Sequence, residues 1–419
     1  MRSRVAVIGA GVAGLTAAYL LQRRHEVVLF EADARLGGHA HTHDLATPGG
    51  GYTAVDSGFI VHNERTYPNL IRLFRELGVP TQDSEMSMSV RCDGCGLEYA
   101  GSKRLPGLFA QRANLVRGRY LRMLAEVTRF HRHARRVMAD ERAGDVTLGA
   151  FLAVGGYSTY FTQHFMGPVV SAVWSAGESV SLSYPARYLF TFLANHGMLS
   201  VGGSPQWKTV VGGSRRYVER AAKGLSAVEV STPIRCVTRT SEGVVIRDDA
   251  DQTHEVDKVV IATHADQALR LLGAATSLEQ EVLGAFRYSR NETWLHSDPS
   301  VLPVSRAARA SWNYLKTSCH DAGGPVLVSY DMNRLMRLTS PVGYVVTLNA
   351  TDRVAPDSVL AKMVYEHPIY TPEALQAQRK LPSLNDGTVA YAGAYHGWGF
   401  HEDGCAAGVR AAESLGVTW

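Results

Sequence analysis

Cysteine is scarce in this chain, and long apolar runs are missing. Five cysteines among 419 residues do not suggest a disulfide framework, so we expect reduced thiols. No apolar run reaches the roughly 18 residues that a membrane-spanning helix needs. Met1-Arg2-Ser3-Arg4 also passes directly into a strand pattern without the apolar core of a signal peptide. These absences predict a cytoplasmic protein.

A strong excess of either charge is missing as well. The net charge is +4, charged residues make up 20% of the chain, and hydrophobic residues make up 45%. This composition is typical of a globular protein and argues against extensive disorder. The length suggests about two to three domain-sized units.

The first forty residues carry a strand, glycine turn, helix and strand in order. Residues 4–8 are an apolar run that leads into Gly9-Ala10-Gly11-Val12-Ala13-Gly14, and residues 27–30 form a second run that ends on Glu31. Glycines at these positions allow a tight turn and let a pyrophosphate approach a helix N-terminus, while Glu31 can accept from a ribose hydroxyl. The pattern predicts an adenine-dinucleotide site, with these candidate residues: Gly9, Gly11, Ala13, Gly14, Glu31 and Ala32.

A glycine pair after the acid indicates which dinucleotide is bound. Glu31 leads into Arg35-Leu36-Gly37-Gly38, which resembles the flavin-containing amine oxidase and phytoene desaturase superfamily. The resemblance implies FAD rather than NAD, bound non-covalently, with Arg35, Gly37, Gly38 and His39 beside it. Asp56-Ser57-Gly58 resembles the superfamily's second short motif, an acid and a glycine near the flavin.

Later segments resemble the remaining pieces of such an FAD domain. Residues 255–263 form a strand pattern that ends in Ala262 and Thr263, and residues 210–218 resemble a Gly-Gly segment that opens a helix. Short strands within 228–247 are expected to form a small β-layer beside the main sheet. Residues 389–394 and 404–412 resemble the last strand and helix of the superfamily, with Gly393, Gly404 and Cys405 near the flavin. Many relatives carry an acid where this chain has Ala394, so we assign no cofactor role to that side chain.

Two further segments are more particular. Residues 59–70 and 395–403 look like those of a bacterial subgroup of predicted FAD-binding oxidoreductases often encoded beside cyclopropane fatty acid synthases. The resemblance covers essentially the whole chain. It implies an α/β plus α+β fold, in which a Rossmann-type (GR2-like) FAD-binding domain is interleaved with a substrate domain of antiparallel sheet and helices.

The expected domains are discontinuous in the sequence. We expect the FAD-binding domain in residues 1–85, 205–284 and 375–419, and the substrate domain in residues 86–204 and 285–374. The second substrate segment contains period-two patterns rich in β-branched and aromatic residues, which indicate an antiparallel sheet.

No Ser-His-Asp, Cys-His or paired-carboxylate set stands out, which fits a reaction carried by a flavin. The residues expected to line the reacting face are Tyr395, His396, Trp398, Phe400 and His401. Histidine suits proton shuttling near neutral pH, so His401 and His396 are the first candidates for catalysis. Glu402 is expected to cap a helix or act as a base and to lie near the cofactor. The alternative is that the aromatic residues only pack the loop against the flavin ring.

A second GxGxxG after a strand is missing, so we expect no separate NAD(P)H domain and an organic substrate as the source of electrons. The resemblance favours an oxidoreductase that takes hydride from a fatty acyl chain or related lipid, by desaturation or oxidation. One alternative is a flavin amine oxidase. Another is a redox-neutral FAD-dependent isomerase or an accessory flavoprotein of lipid modification.

Two patterns suggest a metal, and both have a simpler explanation. Cys92-Asp93-Gly94-Cys95 has no second ligand pair at a suitable spacing, and its flanks alternate like strands around a turn, so a β-hairpin is favoured. The other pattern is the alternating histidines His39, His41 and His43. They follow the glycine pair directly and are expected to run beside the flavin. We therefore expect no metal.

Basic residues are concentrated in residues 103–142. This segment has eleven Lys or Arg against three acids, interleaved with apolar residues. A basic amphipathic helix can lie on an anionic membrane surface, at the inner face of the membrane for a cytoplasmic protein. The alternative is a solvated helix face. A nucleic-acid partner is not expected because no known module for it is present, and the oligomeric state is not indicated.

Overall fold

The computed structural model describes residues 3–101, 104–140, 146–199, 204–320, 324–349 and 352–419. Within these ranges the helices are α1 (Val12–Leu21), α2 (Pro68–Glu76), α3 (Arg104–Leu108), α4 (Gly118–Ala139), α5 (Leu148–Val154), α6 (Thr159–Phe161), α7 (Gly167–Trp174), α8 (Glu178–Leu182), α9 (Ala186–Asn195), α10 (Arg215–Ala222), α11 (Ala265–Leu271), α12 (Ser277–Gly284), α13 (Met332–Met336), α14 (Pro372–Lys380) and α15 (His401–Ser414). A π-helical turn, Thr162–Met166, joins α6 to α7.

The strands in the same ranges are β1 (Arg4–Ile8), β2 (Glu26–Phe30), β3 (Thr42–Ala46), β4 (Tyr52–Asp56), β5 (His62–Asn63), β6 (Thr81–Ser84), β7 (Met88–Cys92), β8 (Leu97–Ala100), β9 (Trp207–Val210), β10 (Ala227–Glu229), β11 (Ile234–Arg239), β12 (Val244–Asp248), β13 (Thr253–Val256), β14 (Lys258–Ile261), β15 (Arg287–His296), β16 (Trp312–Lys316), β17 (Val328–Asp331), β18 (Val345–Leu348), β19 (Val359–Ile369) and β20 (Val389–Tyr391).

A five-stranded parallel sheet is the first of the two large sheets in the fold. Its strand order is β10-β2-β1-β14-β20. Alternate residues of β1 enter two different cores: Val5 and Val7 pack on the α1 side, whereas Ala6 and Ile8 pack on the opposite side. A parallel sheet buried on both faces produces continuous apolar runs like these. The Rossmann-type architecture expected from the sequence is confirmed.

One strand assignment differs from expectation. Residues 227–229 form β10, which extends the parallel sheet by pairing with β2 instead of joining the small β-layer. In the described residues that layer is a three-stranded sheet of β11, β12 and β13. After β2, Glu31 N donates to Glu229 O at 2.8 Å, and Ser231 N donates to Asp33 O at 3.0 Å. These backbone hydrogen bonds place residues 227–229 beside β2, which the local strand pattern alone did not indicate.

A seven-stranded mixed sheet is the second large sheet, and it is called the second sheet below. Its order is β19-β15-β18-β17-β16-β7-β8, with the single parallel contact between β16 and β7. All seven strands come from residues 88–100 and 287–369, and those of the five-stranded sheet come from residues 4–30, 227–261 and 389–391. The expected hairpin around Cys92 and Cys95 is present as β7 and β8.

The basic segment is not one helix. Its described part contains α3, a 3-10 turn at Arg112–Leu115, and α4. Residues 103, 141 and 142 lie outside the described residues. Within the described ranges, no helix is both long and apolar enough to cross a lipid bilayer.

Candidate functional site

A cavity of about 660 Å³ lies between the five-stranded parallel sheet and the seven-stranded second sheet. The carboxyl ends of β1, β2, β14 and β20 open onto it, as expected for ligand binding by a parallel α/β sheet. Residues of the second sheet and of α7 and α9 close its other side. The predicted cofactor residues that line it are Gly9, Gly11, Ala13, Glu31, Ala32, Gly38, His39, Ser57, Gly58, Ala262, Thr263 and Gly393.

The glycine turn after β1 is shaped for a close ligand. Gly9 has φ +97° and donates its N–H to Phe30 O at 2.8 Å. A Cβ on Gly14 would lie 1.9 Å from Gly9 O, so this position requires glycine for packing. A Cβ on Gly11 would meet nothing within 4 Å in the protein, and Gly11 lines the cavity at the N-terminus of α1. The turn thus leaves room above a helix N-terminus, where backbone N–H groups favour phosphate.

Glu31 is fixed at the end of β2. Its Oε2 accepts from Ala10 N at 2.7 Å, and its Oε1 accepts from Asp33 N at 3.0 Å. The carboxylate still faces the cavity. Its backbone hydrogen bonds hold it in the position from which a ribose hydroxyl can be bound.

The glycine pair after Glu31 folds back over the glycine turn. Gly37 has φ +111°, and a Cβ on Gly38 would lie 3.2 Å from the Gly11 Cα. Arg35 donates to Gly38 O at 2.8 Å. Arg35 and Gly37 therefore shape the loop without lining the cavity, whereas Gly38 lines it.

Asp56 is a buried support behind the cavity wall. Its carboxylate accepts from Ser214 N and Oγ at 2.9 and 2.8 Å and from Thr42 Oγ1. Burial raises its pKa to about 6 despite these hydrogen bonds. Asp56 thereby holds the turn that opens α10, while Ser57 and Gly58 reach the cavity.

The last helix begins three residues before the predicted Gly404. Gly404 and Cys405 do not line the cavity: a Cβ on Gly404 would lie 2.7 Å from Val12 Cγ1, and the buried Cys405 accepts from Thr16 Oγ1 at 3.5 Å. Both residues pack α15 against α1. The N-terminus of α15 nevertheless points at the cavity, since His401 lines it.

Glu402 reaches a different helix from the one that contains it. Its Oε1 accepts from Asn69 N and Nδ2 at 3.1 and 2.7 Å, and its Oε2 accepts from Leu70 N at 3.0 Å. It therefore caps the N-terminus of α2 and does not line the cavity. With both oxygens engaged, Glu402 is placed as a structural cap, which leaves the base role without geometric support.

The four other predicted catalytic residues divide into three that face the cavity and one that does not. Tyr395, Trp398 and His401 line it, and His396 does not. His401 Nε2 lies 3.1 Å from Tyr217 Oη, and its ring stacks on Phe59 with the ring centres 3.8 Å apart. Desolvation lowers the pKa of His401 to about 3, and that of His396 to about 3 as well. Neutral rings of such low basicity are poorly suited to the proton shuttling expected of them.

Several lining residues were not found from the sequence. Tyr365 and His367 lie on β19, two residues apart, and the His39 ring stacks on Tyr365 at 4.9 Å. His264 stacks on Tyr288 at 4.3 Å. The signal available was the alternation of Tyr365 and His367, but the sequence does not indicate which face of a strand meets the cavity.

The three histidines expected to run beside the flavin do not all lie at the cavity. His41 and His43 lie with ring centres 4.0 Å apart, and they reach Tyr365 Oη at 3.1 Å and Ser57 Oγ at 2.8 Å, respectively. Only His39 of the three lines the cavity. His41 and His43 thus have hydroxyl partners, whereas the His39 ring stacks on Tyr365.

Comparison with known proteins decides the family. Residues 12–338 match the family described as flavin containing amine oxidoreductase, which is well over half of the chain. The chain belongs to that family. It is accordingly an oxidoreductase that uses FAD without covalent attachment. No curated protein matches the chain.

Solved structures of similar fold span nearly the whole chain. Cyclohexylamine oxidase from Brevibacterium oxydans IH-35A has 17% identity and a TM-score of 0.69, with 99% of each chain covered. Putrescine oxidase bound to putrescine has 16% identity and a TM-score of 0.69, again with 99% of each chain covered. A CLA-producing fatty acid isomerase from P. acnes has 16% identity and a TM-score of 0.66, with 97% of each chain covered. At these identities the likeness establishes the fold.

The residues present fit FAD. Besides the open space above Gly11 and the fixed carboxylate of Glu31, the cavity wall carries buried polar atoms without a protein hydrogen-bond partner, among them His39 Nε2 and Trp398 Nε1. Buried polar atoms are normally satisfied, so such atoms beside a cavity indicate a polar ligand. The flavoprotein's glycine turn and Glu31 would hold the adenine dinucleotide portion, and residues from β19 and the 393–401 loop would surround the redox end.

Proposed function

We propose that this FAD-dependent oxidoreductase takes hydride from a fatty acyl chain or a related lipid, so that the chain is desaturated or oxidised. The observation that supports this proposal is the cavity wall on the side of the second sheet. Its side chains are largely apolar or aromatic: Met86, Val173, Trp174, Phe192, Met198, Trp312, Tyr330 and Leu348.

The same wall offers few carboxylate partners to a cationic amine. Among its described residues the sole carboxylate is Glu366, and His264 Nδ1 lies 3.4 Å from Glu366 Oε2. An acyl chain, by contrast, gains about 0.8 kcal/mol for each CH₂ group that it buries. A wall of this composition therefore favours a long apolar substrate.

Desaturation removes a hydride from one carbon and a proton from its neighbour; FAD when bound would supply the hydride acceptor, and the proton would be released to water. The chain's own contribution is to position the substrate and exclude water. Trp398 and Tyr395 give a rigid aromatic wall, while Tyr217 fixes the His401 ring by its hydrogen bond. His401 thus acts as an orienting hydrogen-bond partner, because its low pKa keeps it neutral.

The test is anaerobic flavin absorbance of the purified holoenzyme mixed with bacterial phospholipids and, separately, with a panel of amines. Bleaching of the oxidised-flavin band by lipid alone supports the proposal. Bleaching by an amine alone refutes it and assigns an amine oxidase. The lipid product is then identified by mass spectrometry as a loss of two hydrogens.

A matched pair of variants connects the activity to the apolar wall. Val173→Glu places a carboxylate on that wall, whereas Val154→Glu places the same group at a surface position, where the Val154 side chain is 91% exposed. Lipid-dependent bleaching should be lost in the first variant and retained in the second. Retention of bound FAD in both variants shows that the fold has survived.

A redox-neutral isomerisation of an unsaturated acyl chain is the second candidate. The same apolar wall suits it, and one protein of similar fold is named a fatty acid isomerase. This activity would move a double bond without net bleaching of the flavin. Analysis of double-bond positions in the recovered lipid distinguishes it from desaturation, and an accessory role without turnover leaves the lipid unchanged.

We also propose that the basic segment docks on an anionic membrane surface. Its described part exposes large apolar side chains, including Leu115 at 56% and Val116 at 84%, beside the exposed Arg119 and Arg122. Apolar insertion combined with cationic attraction is typical of interfacial helices. Helix α4 packs on α9, and α9 lines the cavity. Docking of the basic segment would therefore bring lipid close to the apolar wall of the cavity.

Vesicle sedimentation tests this docking. Binding to vesicles with anionic lipid should exceed binding to zwitterionic vesicles and should weaken as salt rises. A Val116→Glu variant should bind less, while Val154→Glu should bind like the parent protein. Equal binding of all three proteins would contradict the assignment of this surface.

A further inference from the structure

Four potential metal ligands converge away from the cavity. They are Cys92, Cys95, Cys319 and His164, and their ligand atoms all lie within 4.8 Å of one another. None of the four lines the flavin cavity. The sequence revealed only the first pair, because the two other residues lie 69 and 224 residues beyond Cys95.

The second sheet brings three of these residues together. Cys92 ends β7, which pairs in parallel with β16, and Asp93 N donates to Lys316 O at 2.9 Å. Cys319 follows β16 and thus lies beside the turn that carries Cys95. A Cβ on Gly94 would lie 2.8 Å from Cys319 N, so glycine lets the two segments approach.

The fourth ligand comes from the π-helical turn between α6 and α7. His164 lies within this turn and is fully buried. A π-helical turn adds a residue to a helical turn and is frequently found at functional sites. It changes the direction of the side chains that follow, and here His164 Nε2 lies 3.5 Å from Cys95 Sγ.

Two of the six separations between ligand atoms are close to those of tetrahedral zinc, and all six are within 4.8 Å. With Zn–S near 2.3 Å and Zn–N near 2.05 Å, tetrahedral angles place two sulfurs about 3.8 Å apart and a sulfur and nitrogen about 3.6 Å apart. The structure has Cys92 Sγ 3.7 Å from Cys319 Sγ, and Cys95 Sγ 3.5 Å from His164 Nε2. The separation of 3.7 Å between Cys92 Sγ and Cys319 Sγ is also much longer than the 2.03–2.05 Å of a disulfide bond.

The surroundings of His164 prepare it as a ligand. Its Nδ1 donates to Tyr160 O at 3.2 Å, which leaves Nε2 free to face the cysteines. The Tyr160 ring stacks on the imidazole with the ring centres 4.1 Å apart, and Tyr99 Oη donates to His164 O at 2.7 Å. A ligand histidine that donates its other N–H to a carbonyl is a regular feature of zinc sites.

We propose that Cys92, Cys95, Cys319 and His164 bind one structural zinc ion. Three thiolates and one imidazole form a closed four-ligand set, which suits a structural role rather than catalysis. The ion would join the β7–β8 hairpin to the α6–α7 helix and to the end of β16. It would thereby link the two sequence segments of the proposed substrate domain, without dependence on the proposed lipid activity.

The first test is the metal content of the FAD-loaded protein purified under reducing conditions from zinc-supplied cells. We expect about one zinc ion per chain. Replacement by cobalt(II) should give the intense ligand-field bands of a tetrahedral site together with thiolate charge transfer. Failure of the reduced wild-type protein to retain zinc and to take up cobalt would overturn the proposal, as would iron in place of zinc or a Cys92–Cys319 disulfide in metal-free protein.

Variants identify the ligands. Cys319→Ser should lower zinc retention roughly tenfold or more, while Cys236→Ser, which removes a free thiol on β11, should keep it unchanged. A chelator should lower the Tm of the wild type and of the Cys236→Ser variant, with recovery on addition of zinc and not of magnesium. If Cys319→Ser does not fold, the wild-type metal content and cobalt spectrum still decide the proposal.

Discussion

The substitution Gly11→Ala tests whether the cofactor phosphates lie on the glycine turn. Gly11 has φ −69° and ψ 179°, which alanine adopts without strain, and an added Cβ would meet nothing within 4 Å in the protein. Alanine is a poorer helix N-cap than glycine but restricts the unfolded chain, and these effects oppose each other. The unfolding free energy of the apoprotein should therefore change by less than about 1 kcal/mol.

FAD binding should respond differently. The new methyl group would lie on the cavity wall at the α1 N-terminus, where a phosphate would otherwise contact backbone N–H groups. Crowding of a close-packed contact costs about 1–3 kcal/mol, so a cost near 2 kcal/mol raises the Kd of FAD roughly 30-fold. Titration of apoprotein with FAD, followed by flavin fluorescence, measures this Kd.

Two glycine variants serve as comparisons. Gly118→Ala has open space at its Cβ but lies outside the cavity, so both stability and Kd should stay near those of the parent. Gly14→Ala places a methyl 1.9 Å from Gly9 O and should unfold or misfold the turn. A folded Gly11→Ala protein with the parent's Kd for FAD would refute the assignment of the phosphates to this turn.

Three further outcomes are expected. Glu402→Gln should lower the unfolding free energy by about 1 kcal/mol in urea denaturation, because one oxygen that caps α2 becomes an NH₂ group; no loss would show that the cap is not needed. His396 has a folded pKa of about 3 against an ordinary 6.5, so the native state binds fewer protons and stability should fall as pH drops below 6.5. His396→Asn should reduce that fall by about 2 kcal/mol at pH 5, and an unchanged pH profile in denaturation would contradict it. Glu178→Gln breaks the buried ion pair with Lys316 and should cost about 3–5 kcal/mol. Replacement of both partners by apolar residues should recover much of that loss, and a single variant as stable as the parent would show that the pair is not a charged pair.

The N-terminal dinucleotide turn was predictable because its information is local. Gly9, Gly14 and Glu31 lie within one β-α-β unit, and their spacing follows from steric needs of the turn itself. The FAD domain and its family resemblance rest on segments of the same kind.

The remaining features depend on contacts between residues that are far apart in the sequence. Cys319 meets Cys92 only because β16 pairs with β7, and Glu402 caps a helix more than 300 residues away. Tyr365 and His367 face the cavity through the register of β19, and a shift of one residue would turn both away. Spacing in the sequence contains none of this information.

The packing of α15 on α1 has a consequence for biosynthesis. Gly408 lies so close to α1 that a Cβ would be 2.3 Å from Ala13 O, so the first helix has its full set of neighbours only when the last one docks. Residues 393–401 also supply one wall of the flavin cavity. Synthesis must therefore proceed from β1 through α15 before a complete cofactor site exists, and until then the nascent chain leaves uncovered the face of α1 on which α15 packs.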